Sequence, residues 1–300
     1  MQLNRSPRWQ RLLWMTALAT GLGLSGCDDA TGPTPDNPAE MECGGGYYFR
    51  TTDFASSSHI VDNRWAPMLA GSQAIFDGEA NRGSGLRPHR VVFTVTDLVK
   101  VVNGVACVVL WDRDYDYVGG HVHEAELAFF AQDKSGNVWL MGEYPEEYEQ
   151  GEFVGAPSTW LAGYSGADAG MHMLAEPYVG ARYVQGWAPE VNFLDCAVIA
   201  AMGTSTCVPN NCYENVLVID ERAPYEVGTG TQRKYYAPSI GNIRIGAIED
   251  IEGETLLLTN IRQLDPEELA EARVEALRLE ARAYEINETY ARTRPMTRVQ

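Results

Sequence analysis

The sequence predicts a mainly β fold, an antiparallel curved sheet or partial barrel with one C-terminal α-helix. Three observations predict it. Short runs rich in Val, Ile, Tyr, Phe and Trp recur with turn residues between them, the pattern of strands joined by short connections. Strand and helix patterns do not alternate, so no parallel doubly wound sheet is expected. Clear helical spacing occurs once, after residue 263.

The first 26 residues carry Arg5, Arg8 and Arg11 and no acid, and an apolar run, LLWMTALATGLGLSG, leads to Cys27. A basic start, a short apolar core and small residues at the end describe a secretory signal. The run is too short for a comfortable permanent membrane span. Leu24, Ser25, Gly26 and Cys27 resemble a bacterial lipobox. The resemblance implies a diacylglyceryl group on the Cys27 thiol, cleavage before it, and acylation of the new amino terminus. Several acyl chains anchor stably, since each buried methylene contributes about 0.8 kcal/mol. The expected partner is therefore a membrane, reached through a lipid anchor, with the body facing the periplasm or the cell exterior. Asp28 resembles an inner-membrane retention signal of enteric bacteria; that rule varies, so the choice of membrane stays open.

Residues 1–26 thus read as a signal peptide and 27–42 as a flexible tether, because DDATGPTPDNPAE has almost nothing to bury. The β-rich domain is expected over 43–262. Its strand-like runs lie at 46–50, 73–78, 90–99, 104–112, 124–133, 137–143, 158–163, 181–187, 195–203, 214–221, 232–238, 241–249 and 254–261. The DKSGN turn, with Gly136 and Asn137 able to take positive φ, joins two of them. No glycine-rich loop stands between a strand and a helix, so no nucleotide fingerprint is present.

Residues 263–300 hold a helix and a tail. The helix is expected over about 266–293, with Asp265 as its cap, Pro266 in its first turn, and Glu267 and Glu268 favouring its dipole. Ala270, Val274, Leu277, Ala281, Tyr284 and Ala291 form an apolar stripe. It can pack on the sheet or pair with a second copy; packing on the sheet is the favoured expectation.

Removal of residues 1–26 takes away three of the 23 Lys and Arg and none of the 41 Asp and Glu, so the formal charge falls from −18 to −21. Such a field repels nucleic acid and anionic lipid heads. Five cysteines remain beyond Cys27, and an oxidising compartment favours pairing. Cys207 and Cys212 flank VPNN, a turn-forming stretch, and a hairpin-tip disulfide is expected there. Cys107 and Cys196 lie in strand-like runs and can pair across the sheet, which leaves Cys43 over. No CxxC pair with matching histidines supports a zinc site of that type.

Four stretches together resemble a family of uncharacterised bacterial lipoproteins and secreted proteins. They are VDNRWAPMLAGSQAIFDGE at 61–79, FFAQDKSGNVWLMGE at 129–143, STWLAGYSGADAGMHM at 158–173 and RKYYAPSIGNIRI at 233–245. The second is similar to an AQDxxGNVWxxGE core and the fourth to a KYYAPxxG ending. Ser239 and Asn242 depart from the family pattern, and CVPNNC and the C-terminal helix look like additions. The resemblance implies a β-rich domain and no defined activity.

Candidate chemistry is sparse. Asp112, Asp114 and Asp116 alternate in WDRDYDYVGGHVHE, and alternate acids can converge on Ca²⁺. Position six of an EF-hand would be Tyr117 instead of glycine, and exposed acids on one face of a strand end are the commoner arrangement. His121 and His123 alternate too. With Glu124, His172 or an Asp of that run they can form a Zn²⁺ site for a metal-dependent hydrolase. Asp133 and Asn137 read as turn caps, and EYPEEYEQGE at 143–152 as a solvated acidic loop. Ser165 in GYSGA lacks the final glycine of a nucleophile elbow. Trp139, Trp160, Tyr183, Trp187, Tyr235 and Tyr236 can line a cavity, although core packing is their commoner fate. The preferred expectation is non-enzymatic binding of a hydrophobic ligand or an envelope partner protein, with no cofactor. A metal-dependent hydrolase and a structural calcium-binding surface protein are the alternatives.

Overall fold

The computed structural model describes residues 38–299 apart from 84, 117–119, 227 and 229. The signal peptide, Cys27 and the tether up to residue 37 lie outside the described residues. The tether's expected last residues do not: a short helix, α1, runs over Pro38–Cys43, with Ala39 and Cys43 buried. Folded structure is therefore present from Pro38 onward.

Among the described residues fifteen strands follow in chain order: β1 (Ser72–Asn81), β2 (Leu86–Val102), β3 (Val105–Tyr115), β4 (Val122–Gln132), β5 (Val138–Glu149), β6 (Glu152–Gly155), β7 (Trp160–Leu161), β8 (Asp168–Met173), β9 (Arg182–Ala188), β10 (Phe193–Cys207), β11 (Cys212–Arg222), β12 (Thr231–Ala237), β13 (Gly241–Ile248), β14 (Thr255–Gln263) and β15 (Thr297–Arg298). The helices α2 (Pro266–Ile286) and α3 (Glu288–Ala291) lie between β14 and β15. Twelve strands close into one antiparallel barrel. Its order is β1-β14-β13-β12-β11-β10-β9-β8-β5-β4-β3-β2, and β2 returns to β1. Closure removes the open edges that an exposed sheet would present. β6 and β7 pair with β5, and β15 pairs with β2.

The expected strands at 73–261 are found, several of them longer than their apolar runs. Three expectations need correction. Residues 46–50 form no strand; their rings Tyr47 and Phe49 pack on the core instead. The 143–152 stretch is not a loop for most of its length, because β5 runs to Glu149. There Tyr144 and Glu146 are buried, so charge in the sequence concealed a period-two strand. β6 and β8 fall outside the expected runs, being short and low in β-branched residues.

Local chemistry sets the connections. Asn103 (φ 48°) and Gly104 (φ 79°) make the tight β2–β3 turn, as the twist of paired strands favours. Asp133 accepts from the backbone N–H groups of Ser135 and Asn137 and from Trp139 Nε1 at 2.8–3.0 Å, the capping role expected of it. One core joins β2–β5 to α2 and also holds Tyr183, Leu217 and Ile219. A second joins Phe76, Val91, Val216, Ile243 and Leu258.

α2 begins as expected, with Asp265 and Glu268 forming a reciprocal capping box. It ends earlier, at Ile286, because Asn287 turns its side chain to cap α3. The expected apolar stripe is the wrong one. Val274 and Leu277 are exposed, whereas Ala272, Ala276, Leu279, Glu280 and Ala283 are buried. The buried face is mostly alanine, which lets the helix approach the sheet closely, and Glu280 within it hid it from a search for apolar spacing.

Cys207 pairs with Cys212, as the turn between them suggests. Cys43 pairs with Cys196, and Cys107 is the buried free thiol among the described cysteines. That reverses the expected roles of Cys43 and Cys107, because α1 packs beside β9 and β10 while Cys107 lies within the core.

Candidate functional site: an acidic cleft

Residues directly opposite in an antiparallel ladder project from one face. Asp112 on β3 faces Glu126 on β4, which faces Pro145 on β5. The next row is Asp114, Glu124 and Glu147. Tyr144, Glu146 and Tyr148 alternate with these on β5 and point the other way. Glu146 there accepts from Tyr144 Oη (2.9 Å), Tyr148 Oη (2.5 Å) and Arg282 of α2 (2.6 Å). The helix therefore packs on the face opposite the acid rows.

A cleft of about 160 Å³ opens on the acidic side. Glu124, Glu126, Glu143 and Pro145 form one wall, and Asp195, Glu221, Gln232 and Lys234 belong to the facing strands. Among the described residues, eight of those lining it are Asp or Glu, and two, Arg222 and Lys234, are basic. Both basic groups are engaged. Lys234 pairs with Glu221. Arg222 bonds Glu42 of α1 through its carboxylate (3.0 Å) and its carbonyl (2.7 Å). Phe193 supplies an aromatic wall, stacked on Trp160 at 5.1 Å. Trp160 in turn donates to Glu143 at 2.9 Å. The lining is thus polar and acidic, unlike the apolar cavity a hydrophobic ligand requires.

The expected metal ligands stand near this cleft, arranged around a side chain that sequence reasoning missed. Arg82 bonds Asp114, and Asp116 at 3.1 Å. His89 bridges Asp114 and Glu254, each at 3.0 Å, and Gln232 donates to Glu254 at 2.8 Å. Burial by itself lowers the His89 pKa, but the hydrogen bonds to Asp114 and Glu254 outweigh it and hold it at about 9. His89 is therefore charged at neutral pH. His123 lies 3.7 Å from Asp116, with its pKa pushed down by burial and by Arg82. His121 closes the β3–β4 connection through its carbonyl, which accepts from Asp116 N–H at 3.2 Å.

Asp114 and Asp116 thus already hold a cation, the Arg82 guanidinium. Among the described residues no three His, Cys, Asp or Glu stand close enough to share a metal ion. His172 stands apart on β8, edge-on to Phe130 at 4.8 Å, with its pKa lowered to about 4 by burial. The Ca²⁺ and Zn²⁺ expectations for Asp112, Asp114, Asp116, His121 and His123 therefore gain no geometric support. Arg82 and His89 carried one legible signal: His89 alternates with Val91 and Phe93 on one face of β2. Ser165 lies in a turn with φ 51°, 3.4 Å from Thr289 Oγ1, not at an elbow before a helix. Trp139, Trp160, Tyr183 and Tyr236 are buried, in keeping with core packing.

No family model matches the chain, and no curated protein matches it. Two solved structures are similar to it. One, from Bacteroides fragilis, is described as an exported protein with a YmcC-like fold; it is 13% identical, covers 67% of this chain and 100% of its own, with a TM-score of 0.40. The other, from Parabacteroides distasonis, is described as a lipoprotein; it is 13% identical with the same coverage and a TM-score of 0.35.

Proposed function

We propose that this chain is a lipid-anchored bacterial envelope protein whose barrel is a non-catalytic binding body, and whose cleft takes a positively charged occupant. The observation that carries the location is the order of basic start, short apolar run and Leu24–Cys27. The Cys43–Cys196 and Cys207–Cys212 disulfides agree with an oxidising compartment. The excess of carboxylates around the cleft favours a cation over the hydrophobic ligand expected from sequence.

A Cys27→Ser variant tests the anchor. The parent chain should fractionate with membranes and lose its first 26 residues. The variant should leave the membrane fraction or retain its signal peptide. Unchanged membrane association at the same processed mass would overturn the anchor.

A further inference from the structure

The apolar stripe that the sequence places along α2 is not the face that the barrel covers. Ala272, Ala276, Leu279 and Ala283 are buried, whereas Val274 is 61% exposed and Leu277 37%. Ala281 is exposed too, and Ala270 is half-buried. Residues 270, 274, 277 and 281 recur at steps of four, three and four, the spacing of a two-helix seam. The seam is about 16 Å long at 1.5 Å per residue. Glu267, Glu271, Arg278 and Glu285 are exposed around it, and a continuous apolar stripe rimmed by charge marks an interaction surface.

Charge decides what covers it. Glu271 and Arg278 stand one heptad apart on one edge of the seam. Arg278 bonds Glu275 of its own helix at 2.9 Å, an exposed pair of small net value. On the other edge Arg273 bonds Asp97 at 2.7 Å and Glu280 bonds Lys100 at 2.8 Å, so the barrel holds both. A two-fold antiparallel pair of α2 helices sets Val274 against Leu277 of the partner subunit, and Ala270 against Ala281 of the partner subunit. That register brings Glu271 beside Arg278 of the partner subunit, and symmetry repeats each contact. A parallel pair would set Arg273 beside Arg278 of the partner subunit and Glu280 beside Glu285 of the partner subunit, like charge against like. An anionic membrane surface also fits less well, because it repels the exposed Glu267, Glu271 and Glu285.

We propose that α2 is a homodimerisation face. A second copy of this chain docks its own α2 antiparallel along Ala270, Val274, Leu277 and Ala281, with Glu271 and Arg278 paired across the two-fold axis. This goes beyond the proposed function and depends on neither the anchor nor the cleft.

The test is sedimentation equilibrium of the purified full-length chain in density-matched non-ionic detergent, over about two decades of concentration. Val274→Glu, Glu271→Arg, Arg278→Glu, the double variant Glu271→Arg with Arg278→Glu, and the exposed control Glu176→Arg are run alongside, and each melting temperature is recorded. The expected result is a reversible monomer–dimer equilibrium that Glu176→Arg leaves unchanged and Val274→Glu abolishes. Each single charge reversal should weaken the dimer about tenfold, and the double variant should restore it. That restoration separates a contact between copies from a loss of folding. A monomer at every concentration, a dimer that survives Val274→Glu, or a double variant no tighter than the single ones overturns the proposal. None of these results depends on Cys27, so failure of the dimer and failure of the anchor are separable.

Discussion

Lys100 of β2 and Glu280 of α2 form a fully enclosed ion pair, Nζ to Oε1 at 2.8 Å, across 180 residues of sequence. Lys100 also donates to Tyr284 Oη at 3.0 Å and lies 4.0 Å from the centre of the Tyr290 ring. Glu280 accepts from Met296 N–H at 3.0 Å, which holds the tail for β15. Burial pulls the Lys100 pKa below its ordinary value despite Glu280, so desolvation outweighs attraction. Breaking such a pair from one side leaves a lone buried charge, which costs about 3–5 kcal/mol. Lys100→Met should lose stability on that scale in urea unfolding. Lys100→Met with Glu280→Gln should lose less than the two single changes added together. Additive losses would show that the two residues are not coupled.

His89 sets a pH dependence. Its folded pKa of about 9 lies above the unfolded value near 6.5. Its stabilisation is therefore complete below pH 6.5 and is lost as pH rises through about 9. The side chain is 1% exposed, so the effect is on the order of 3 kcal/mol. Urea unfolding between pH 6.5 and 9 should show falling stability, and His89→Gln should remove most of that slope.

Gly78 on β1 lies against the backbone of β14, where an added Cβ would come within 1.6 Å of the Thr255 carbonyl oxygen. That seam closes the barrel. Gly78→Ala should cost about 3 kcal/mol or more through forced separation of the strands. A melting temperature equal to the parent's would mean that the β1–β14 register differs.

The disulfides differ in reach. Cys43–Cys196 spans 153 residues and Cys207–Cys212 spans 5. Chain entropy alone gives about 5 kcal/mol for the first and about 2 for the second. Cys43→Ser with Cys196→Ser should therefore lower the melting temperature more than the paired change at 207 and 212. Alkylation of the unreduced, denatured chain should label Cys107 and spare the other four body cysteines. Label on Cys43 would contradict the pairing.

The pairing of Lys100 with Glu280 also marks where sequence reasoning stops. The Asp265 cap, the Asp133 turn and the 207–212 disulfide were legible because each links residues a few positions apart. The alternation of Asp112 and Asp114 was legible too, but alternation says only that two faces exist. It does not say which face meets a helix. On β5 both faces carry Glu, and one set is buried under Arg282 while the other lies on the side of the cleft.

By itself the sequence determined the strand-rich fold class, the cap and start of α2, and the features of an export signal, since these depend on local spacing and backbone preference. Only the tertiary structure decided the closure of β1 on β14, the partner of Cys43, the alanine face of α2 and the grouping of carboxylates into one cleft. The physical reason is that these depend on which distant surfaces exclude water together, and burial can reverse the meaning of a charged residue that local pattern assigns to solvent.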